Sequence, residues 1–409
     1  MDPSKTLSTP LMREQDLRLS ERFLISALSG LPGGKISITL PSGRKVIVGQ
    51  GNQETATLDL LDAKVPRRLL LGGGMALAET YMEGGWRTDD LSRLLRIFAR
   101  SQSAMGRLAR GASKMLQAVD HAGHRLRKNT KRNAKANIQA HYDLSNALYE
   151  TFLDPTLTYS AGIFTPEDAD LQRAQLRKID RLIDSLGLDA RHHVLEIGSG
   201  WGACAIRMAQ RSGCRVTSLT LSEEQAAEAC RRVAAAGLAD RVEIRLQDYR
   251  DVEGVFDHVI SIEMIEAVGH EFLPVYFDSV NRHLRPGGRF ALQAITIPDV
   301  RYRDYEKSCD FIRKHIFPGG HLPSPGMLDQ LRRTHTDWEL AGDYEFGRDY
   351  AETLRRWRDA FLENAAEVRR LGFDEVFVRK WHYYFAYCEA GFDTDLIHVR
   401  QLIYQKPPL

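Results

Sequence analysis

The sequence predicts an α/β protein: a Rossmann-like, doubly wound parallel sheet with a small α+β domain at its N-terminal side. Three observations carry this. From residue 168 onward, short apolar runs alternate with helix-length segments, the order that builds βαβ units. The first run, Val194-Leu195-Glu196-Ile197, passes directly into Gly198-Ser199-Gly200-Trp201-Gly202, a glycine turn opening a helix. Ahead of all this, residues 35–40 and 45–48 alternate around Pro41-Ser42-Gly43-Arg44, which reads as a β-hairpin.

In chain order, residues 1–20 are polar and predict little structure, and 21–31 predicts a short helix. The hairpin follows. An apolar segment over 67–75 ends in glycines and leads through 76–82 to Gly84-Gly85-Trp86, and a helix is expected over 90–100. Residues 1 to about 105 are therefore taken as the small α+β domain. Residues 106–132 form a basic linker in which Arg107, Arg110, Lys114, Arg125, Arg127, Lys128, Lys131 and Arg132 stand against Asp120. Two readings fit it, a solvated interdomain helix or a surface that docks on anionic lipid headgroups. Aromatics do not interleave with the basic residues, which argues against nucleic acid. From 133 to 409 the pattern is that of the parallel-sheet domain. A helix over 168–186 precedes strand one. Further strands are expected over 215–221, 242–246, 256–262 and from 284 through the Pro286-Gly287-Gly288 turn to 294. Residues 297–345 read as an insertion covering a substrate channel.

Composition excludes several classes. A formal net charge of +2 leaves no global field for polyanions. Cys204, Cys214, Cys230, Cys309 and Cys388 form no C-x-x-C pair and no zinc spacing, so free thiols in a reducing compartment and no metal site are expected. No apolar run is long enough to span a bilayer. The expected location is cytoplasmic, with any work on lipid done from the inner membrane surface.

In doubly wound sheets ligands bind beyond the carboxyl ends of the strands. The spacing after strand one is G-x-G-x-G, not the dinucleotide fingerprint. With Glu196 just before the turn, it suits S-adenosylmethionine (SAM). Gly198 and Gly200 would admit the cofactor against bare backbone. Thr220, Ser222 and Gln225 after strand two could hydrogen-bond the ribose, and Gln247 and Asp248 after strand three could meet the adenine. Each could equally be a helix cap or loop hydrogen bond; their order along the sheet edge is what argues for a class I SAM-dependent methyltransferase.

The residues resemble the cyclopropane fatty acid synthases, including the mycolic acid cyclopropane synthases and related lipid methyltransferases. The matching stretches are His141-Tyr142-Asp143-Leu144-Ser145-Asn146, Tyr159-Ser160, Leu195 to Gly202, Thr220 to Gln225, Gln247 to Asp251, Glu263-Met264-Ile265-Glu266-Ala267-Val268-Gly269, Ile316-Phe317-Pro318-Gly319-Gly320 and Leu322-Pro323-Ser324. Ala78 to Trp86 looks like the smaller domain of long bacterial members. The resemblance implies transfer of a methylene or methyl group from SAM to the cis double bond of an unsaturated acyl chain in membrane phospholipid. It adds Tyr159, Ser160 and Trp201 to the cofactor residues and suggests a homodimer. Family members are known for a bicarbonate ion near the transferred methyl. The matching catalytic positions here are Ala161, Glu266, Gln293, Ile295 and Tyr350. Two depart from the common pattern: Ala161 stands where many members carry cysteine, and Gln293 where well-studied members carry histidine. An amide cannot take up a proton near neutral pH. Two alternatives follow from Gln293: methylation without ring closure, or a lipid-binding homologue without catalysis.

Overall fold

The computed structural model describes residues 17–52, 54–101 and 145–409. The basic linker and His141 to Leu144 lie outside the described residues.

The N-terminal region is a four-stranded sheet, order β2-β1-β3-β4, with helices Leu19–Leu28, Val65–Met82 and Leu91–Arg100. The expected hairpin is β1 (Lys35–Thr39) and β2 (Lys45–Val48), paired antiparallel. Two strands were not anticipated. β3 (Thr55–Leu60) runs parallel to β1, and β4 (Trp86–Arg87) is a two-residue edge. The helix Val65–Met82 continues through the glycines but bends at Gly73, whose φ of 54° and ψ of −132° are non-helical. Asp90 accepts the Arg93 N–H and so fixes the start of the third helix.

The second region holds a seven-stranded sheet, order β10-β11-β9-β8-β5-β6-β7. β5 (His193–Ile197), β6 (Arg215–Thr220), β7 (Val242–Leu246), β8 (Phe256–Ile262) and β9 (Leu284–Thr296) are parallel, as expected. β11 (His398–Gln405) pairs antiparallel with β9, and β10 (Glu339–Glu345) with β11. The stretch 297–345 thus ends in an edge strand of the sheet. Its helix Pro325–His335 buries Leu328 and Leu331 in the same core as Trp338 and Phe277. Strand order reverses between β5 and β8, so their carboxyl ends part there and leave a crevice.

The two regions share one core. Hydrophobic residues from Leu24 to Ile97 are continuous with Trp357, Phe361, Trp381 and Phe385 of the helices Gly347–Glu363 and Glu375–Asp393. Polar ties reinforce the seam. Ser92 and Arg358 both donate to buried Glu389, and Tyr81 meets His382 at 2.8 Å. Among the described residues no helix is long and apolar enough to cross a membrane. Of the five cysteines, all unpaired, only Cys230 is exposed, and no cluster of metal-ligating side chains occurs among the described residues.

Candidate active site

A cleft of about 1190 Å³, its open mouth included, lies at the crevice between β5 and β8. Every expected cofactor residue lines it except Ser222. The turn after β5 is built for close approach: Gly198, Gly200 and Gly202 have φ of 101°, 50° and 87°. Trp201 is buried, and its indole N–H donates to Asn146 at 2.7 Å. Glu196 accepts from the Ser218 hydroxyl at 2.5 Å; burial pushes its carboxyl up to about 7. Tyr159 donates to the Tyr384 hydroxyl at 2.9 Å, and Ser160 accepts from buried Lys178 at 2.5 Å.

Two of the residues expected at the ribose and adenine make contacts within the protein. Ser222 is fully buried and caps the helix Glu223–Ala235, accepting the Gln225 N–H at 3.2 Å, while Thr220 bonds the Gln225 amide at 2.9 Å. Ser222 therefore shapes the loop instead of reaching the cleft. Asp248 is held by Arg250 through two contacts, Nε to Oδ1 at 2.8 Å and Nη2 to Oδ2 at 2.6 Å. Its carboxylate retains further lone pairs, but it acts as half of an ion pair. Gln247 lines the cleft while its amide donates to the Asp251 carbonyl at 2.7 Å.

The five positions expected to hold bicarbonate divide into two groups. Ala161 N–H, the Gln293 amide and the Tyr350 hydroxyl all donate to one side chain, Glu263, at 2.9, 2.7 and 2.6 Å. The Ile295 N–H donates instead to Glu266 at 2.5 Å. Three of the five groups assigned to the ion thus already donate to a carboxylate of the protein. Glu263 was not singled out from the sequence although it stands in a quoted motif. Its signal was position: it directly follows the last residue of β8, at the sheet edge where ligands bind. Lys178 and Gln401 were also missed. The Gln401 amide donates to Gln293 Oε1 at 3.0 Å, which turns the Gln293 NH₂ toward Glu263.

The two carboxyls are electrostatically distinct. Burial raises Glu263, against the pull of the Lys178 ammonium and its hydrogen-bond donors. Burial and the neighbouring Glu263 push Glu266 up to about 8, and its Oε2 is buried with no hydrogen-bond partner among the described residues. Adjacent carboxyls compete for one negative charge. Three donors and a nearby ammonium place that charge on Glu263, leaving Glu266 protonated near neutrality. Burial raises the Tyr350 phenol well above its ordinary value, so it stays a donor. A stability consequence follows. Glu266 binds its proton more tightly folded than unfolded, so stability falls as pH rises from about 4.5 toward 8, by at most about 1.4 kcal/mol per pH unit. Denaturant unfolding across that range should show the slope in the wild type and a shallower one in Glu266→Gln. An equal slope in both would refute the assignment.

A family model described as mycolic acid cyclopropane synthetase matches residues 129–402. The chain belongs to that family. It is 43% identical over 359 residues to the tuberculostearic acid methyltransferase UfaA1 of Mycobacterium tuberculosis, covering 86% of this chain and 82% of that one. It is 34% identical over 350 residues to the cyclopropane-fatty-acyl-phospholipid synthase of Escherichia coli K12, covering 83% and 85%. The crystal structure of mycolic acid cyclopropane synthase CmaA1 with SAH and CTAB superposes with a TM-score of 0.62 at 31% identity, covering 66% of this chain and 98% of that one. This synthetase-family protein is a SAM-dependent lipid methyltransferase on a Rossmann-like sheet.

Proposed function

We propose that the protein methylates the cis double bond of an unsaturated acyl chain in membrane phospholipid and releases a methylene-bearing chain without a ring. The observation that carries this is Gln293, a non-titrating amide fixed between Gln401 and Glu263 at the position where well-studied members of the family carry histidine. Greater identity to a relative named as a methyltransferase than to one named as a cyclopropane synthase supports the same choice.

SAM supplies an electrophilic methyl on a sulfonium, and the glycine turn with Glu196, Thr220 and Gln247 would hold it. The alkene π electrons form a C–C bond to that methyl as its C–S bond breaks, leaving S-adenosylhomocysteine. The positive charge falls on the other alkene carbon. A hydride shift from the methylated carbon moves the charge there, and loss of a methyl proton gives a terminal =CH₂. Closing the bond without the shift would give a cyclopropane instead. Both routes need a dry site and an anion near the methyl. Dryness comes from the aromatic wall: Tyr350 stacks on Phe392 at 4.4 Å, and Tyr159 packs against Trp357 at 5.2 Å. Tyr302 and Tyr305 tie together the stretch between β9 and β10. Tyr302 bonds His321 at 2.8 Å, and Tyr305 accepts the Leu322 N–H at 3.0 Å.

With SAM deuterated in its methyl and vesicles of cis-monounsaturated phospholipid, mass spectrometry should find acyl chains heavier by one CD₂ group. Saturated chains should gain nothing. No gain in any unsaturated lipid would overturn the reading. Docking on anionic membrane through the basic residues of 107–132 belongs to the same proposal, each contributing on the order of 1 kcal/mol. Neutralising Arg125, Arg127, Lys128 and Lys131 should weaken sedimentation with anionic vesicles and reduce its salt dependence. Unchanged, salt-insensitive binding would exclude an electrostatic dock.

A further inference from the structure

We propose that Glu263 supplies, as a fixed side-chain carboxylate, the anion for which other members of the family use a free bicarbonate, and that it is the base that takes the proton from the transferred methyl. The base role rests on the methyl-transfer reading above; the anion role does not.

The geometry is that of an anion site filled from within. A backbone N–H (Ala161), an amide NH₂ (Gln293) and a phenol O–H (Tyr350) come from three distant parts of the chain and converge on the two oxygens of one carboxylate. Gln293 and Ala161 are fully buried and Tyr350 nearly so, so these donors have no recourse to water. Lys178, also buried, adds a positive charge nearby. Glu263 lines the cofactor cleft together with Lys178, and so joins the three donors, which do not, to the place where the methyl would be delivered.

The backbone gives a second, independent sign. Glu263 has a φ of 47°, in the left-handed region that a non-glycine residue rarely adopts. Its N–H is tied to the Gln293 carbonyl at 2.8 Å, which holds the conformation. Such strain persists where surrounding structure imposes it, and here it delivers a carboxylate into the site. Glycine would suit this backbone and leave the three donors facing a space sized for a carboxylate.

Proton transfer balances without a further reagent. The C–H electron pair of the new methyl becomes the C=C π bond, or the closing ring bond, and the proton passes to the Glu263 carboxylate. It leaves to solvent through the cleft once S-adenosylhomocysteine departs.

The test compares the full-length wild type with Glu263→Gly and Glu263→Gln in carbonate-depleted buffer, with sodium bicarbonate then titrated in at constant ionic strength. Wild-type turnover should not respond to bicarbonate. Glu263→Gly should lose at least about 100-fold, the scale of a lost general base, and recover in part as bicarbonate saturates the vacated site. Glu263→Gln should lose as much and not recover, because the amide fills the space. Line broadening of ¹³C-bicarbonate in NMR reads the same site without turnover, and only Glu263→Gly should broaden it. Stimulation of the wild type by bicarbonate would overturn the proposal. So would full activity of Glu263→Gly, or failure of that variant both to recover and to bind the ion. If the wild type methylates no lipid, the functional reading fails, and the NMR comparison alone decides whether Glu263 occupies the anion site.

Discussion

Glu389→Ala is expected to lower the unfolding free energy by about 3 kcal/mol, the low end of what breaking a buried ion pair costs, because the arginines around it keep other carboxylates. The Glu389 side chain is 1% exposed and sits where three helices meet. It accepts from Ser92 at 2.7 Å and from Arg355 at 3.2 Å, contacts Arg358 directly, and lies 3.7 Å from Arg96. Removing it takes the shared carboxylate from Arg96 of the helix Leu91–Arg100, which keeps Glu54 and Asp393, and from Arg355 and Arg358 of the helix Gly347–Glu363, which keep Glu352 and Asp359. Glu389→Gln keeps an acceptor for Ser92 but removes the charge, and should fall between alanine and wild type. Urea unfolding measures all three. A loss below about 1 kcal/mol for alanine, the scale of an exposed ion pair, would show that the cluster does not hold the two regions together.

The second large effect is on the cofactor. Gly198→Ala should weaken binding of S-adenosylhomocysteine about tenfold to 100-fold. The φ of 101° is strained for alanine, and the added Cβ would lie 3.2 Å from Met264 Cβ and Cγ, on the opposite lip of the cleft. Strain of this kind costs about 1–3 kcal/mol, and each 1.4 kcal/mol relieved by moving the turn is tenfold in affinity. Gly200→Ala provides the contrast. Its φ of 50° is ordinary left-handed backbone and nothing lies within 4 Å of a Cβ there, so its loss should be smaller. Calorimetric titration reads both. Equal affinities in wild type and Gly198→Ala would mean that the turn does not bear on the cofactor.

Much of the fold was legible because its signals are local. The hairpin at 35–48 and the five parallel strands are short apolar or alternating runs bounded by glycine, proline or a helix cap. The remaining strands were hidden for physical reasons. Glu339–Glu345 is a largely exposed edge whose polar residues carry no core pattern, and it becomes a strand only against His398–Gln405, itself paired to β9. β3 was hidden behind the hairpin reading, because its parallel pairing with β1 has no turn signature of its own. The boundary drawn near residue 105 follows a change in composition, yet the core runs across it. Contacts such as Ser92 to Glu389 are separated by hundreds of residues and leave no local trace.

The candidate site divides the same way. The turn at 198–202 and the residues after β6 and β7 could be placed from strand ends alone. Asp248 could not be paired with Arg250 by periodicity, and Ser222 reads identically as a cap or a ligand. Glu263 is the sharper case. Beside Glu266 in one motif it looked like one acid of two. What separates them is the set of donors that residues 161, 293 and 350 bring from elsewhere in the chain.

The most direct measurement of the central claim is a proton NMR spectrum of the phospholipid product made from unlabelled SAM and a cis-monounsaturated chain. The account expects loss of the vinylic signals of the original double bond and new terminal =CH₂ protons on a branched carbon. Ring methylene protons far upfield, with no =CH₂ signal, would contradict it.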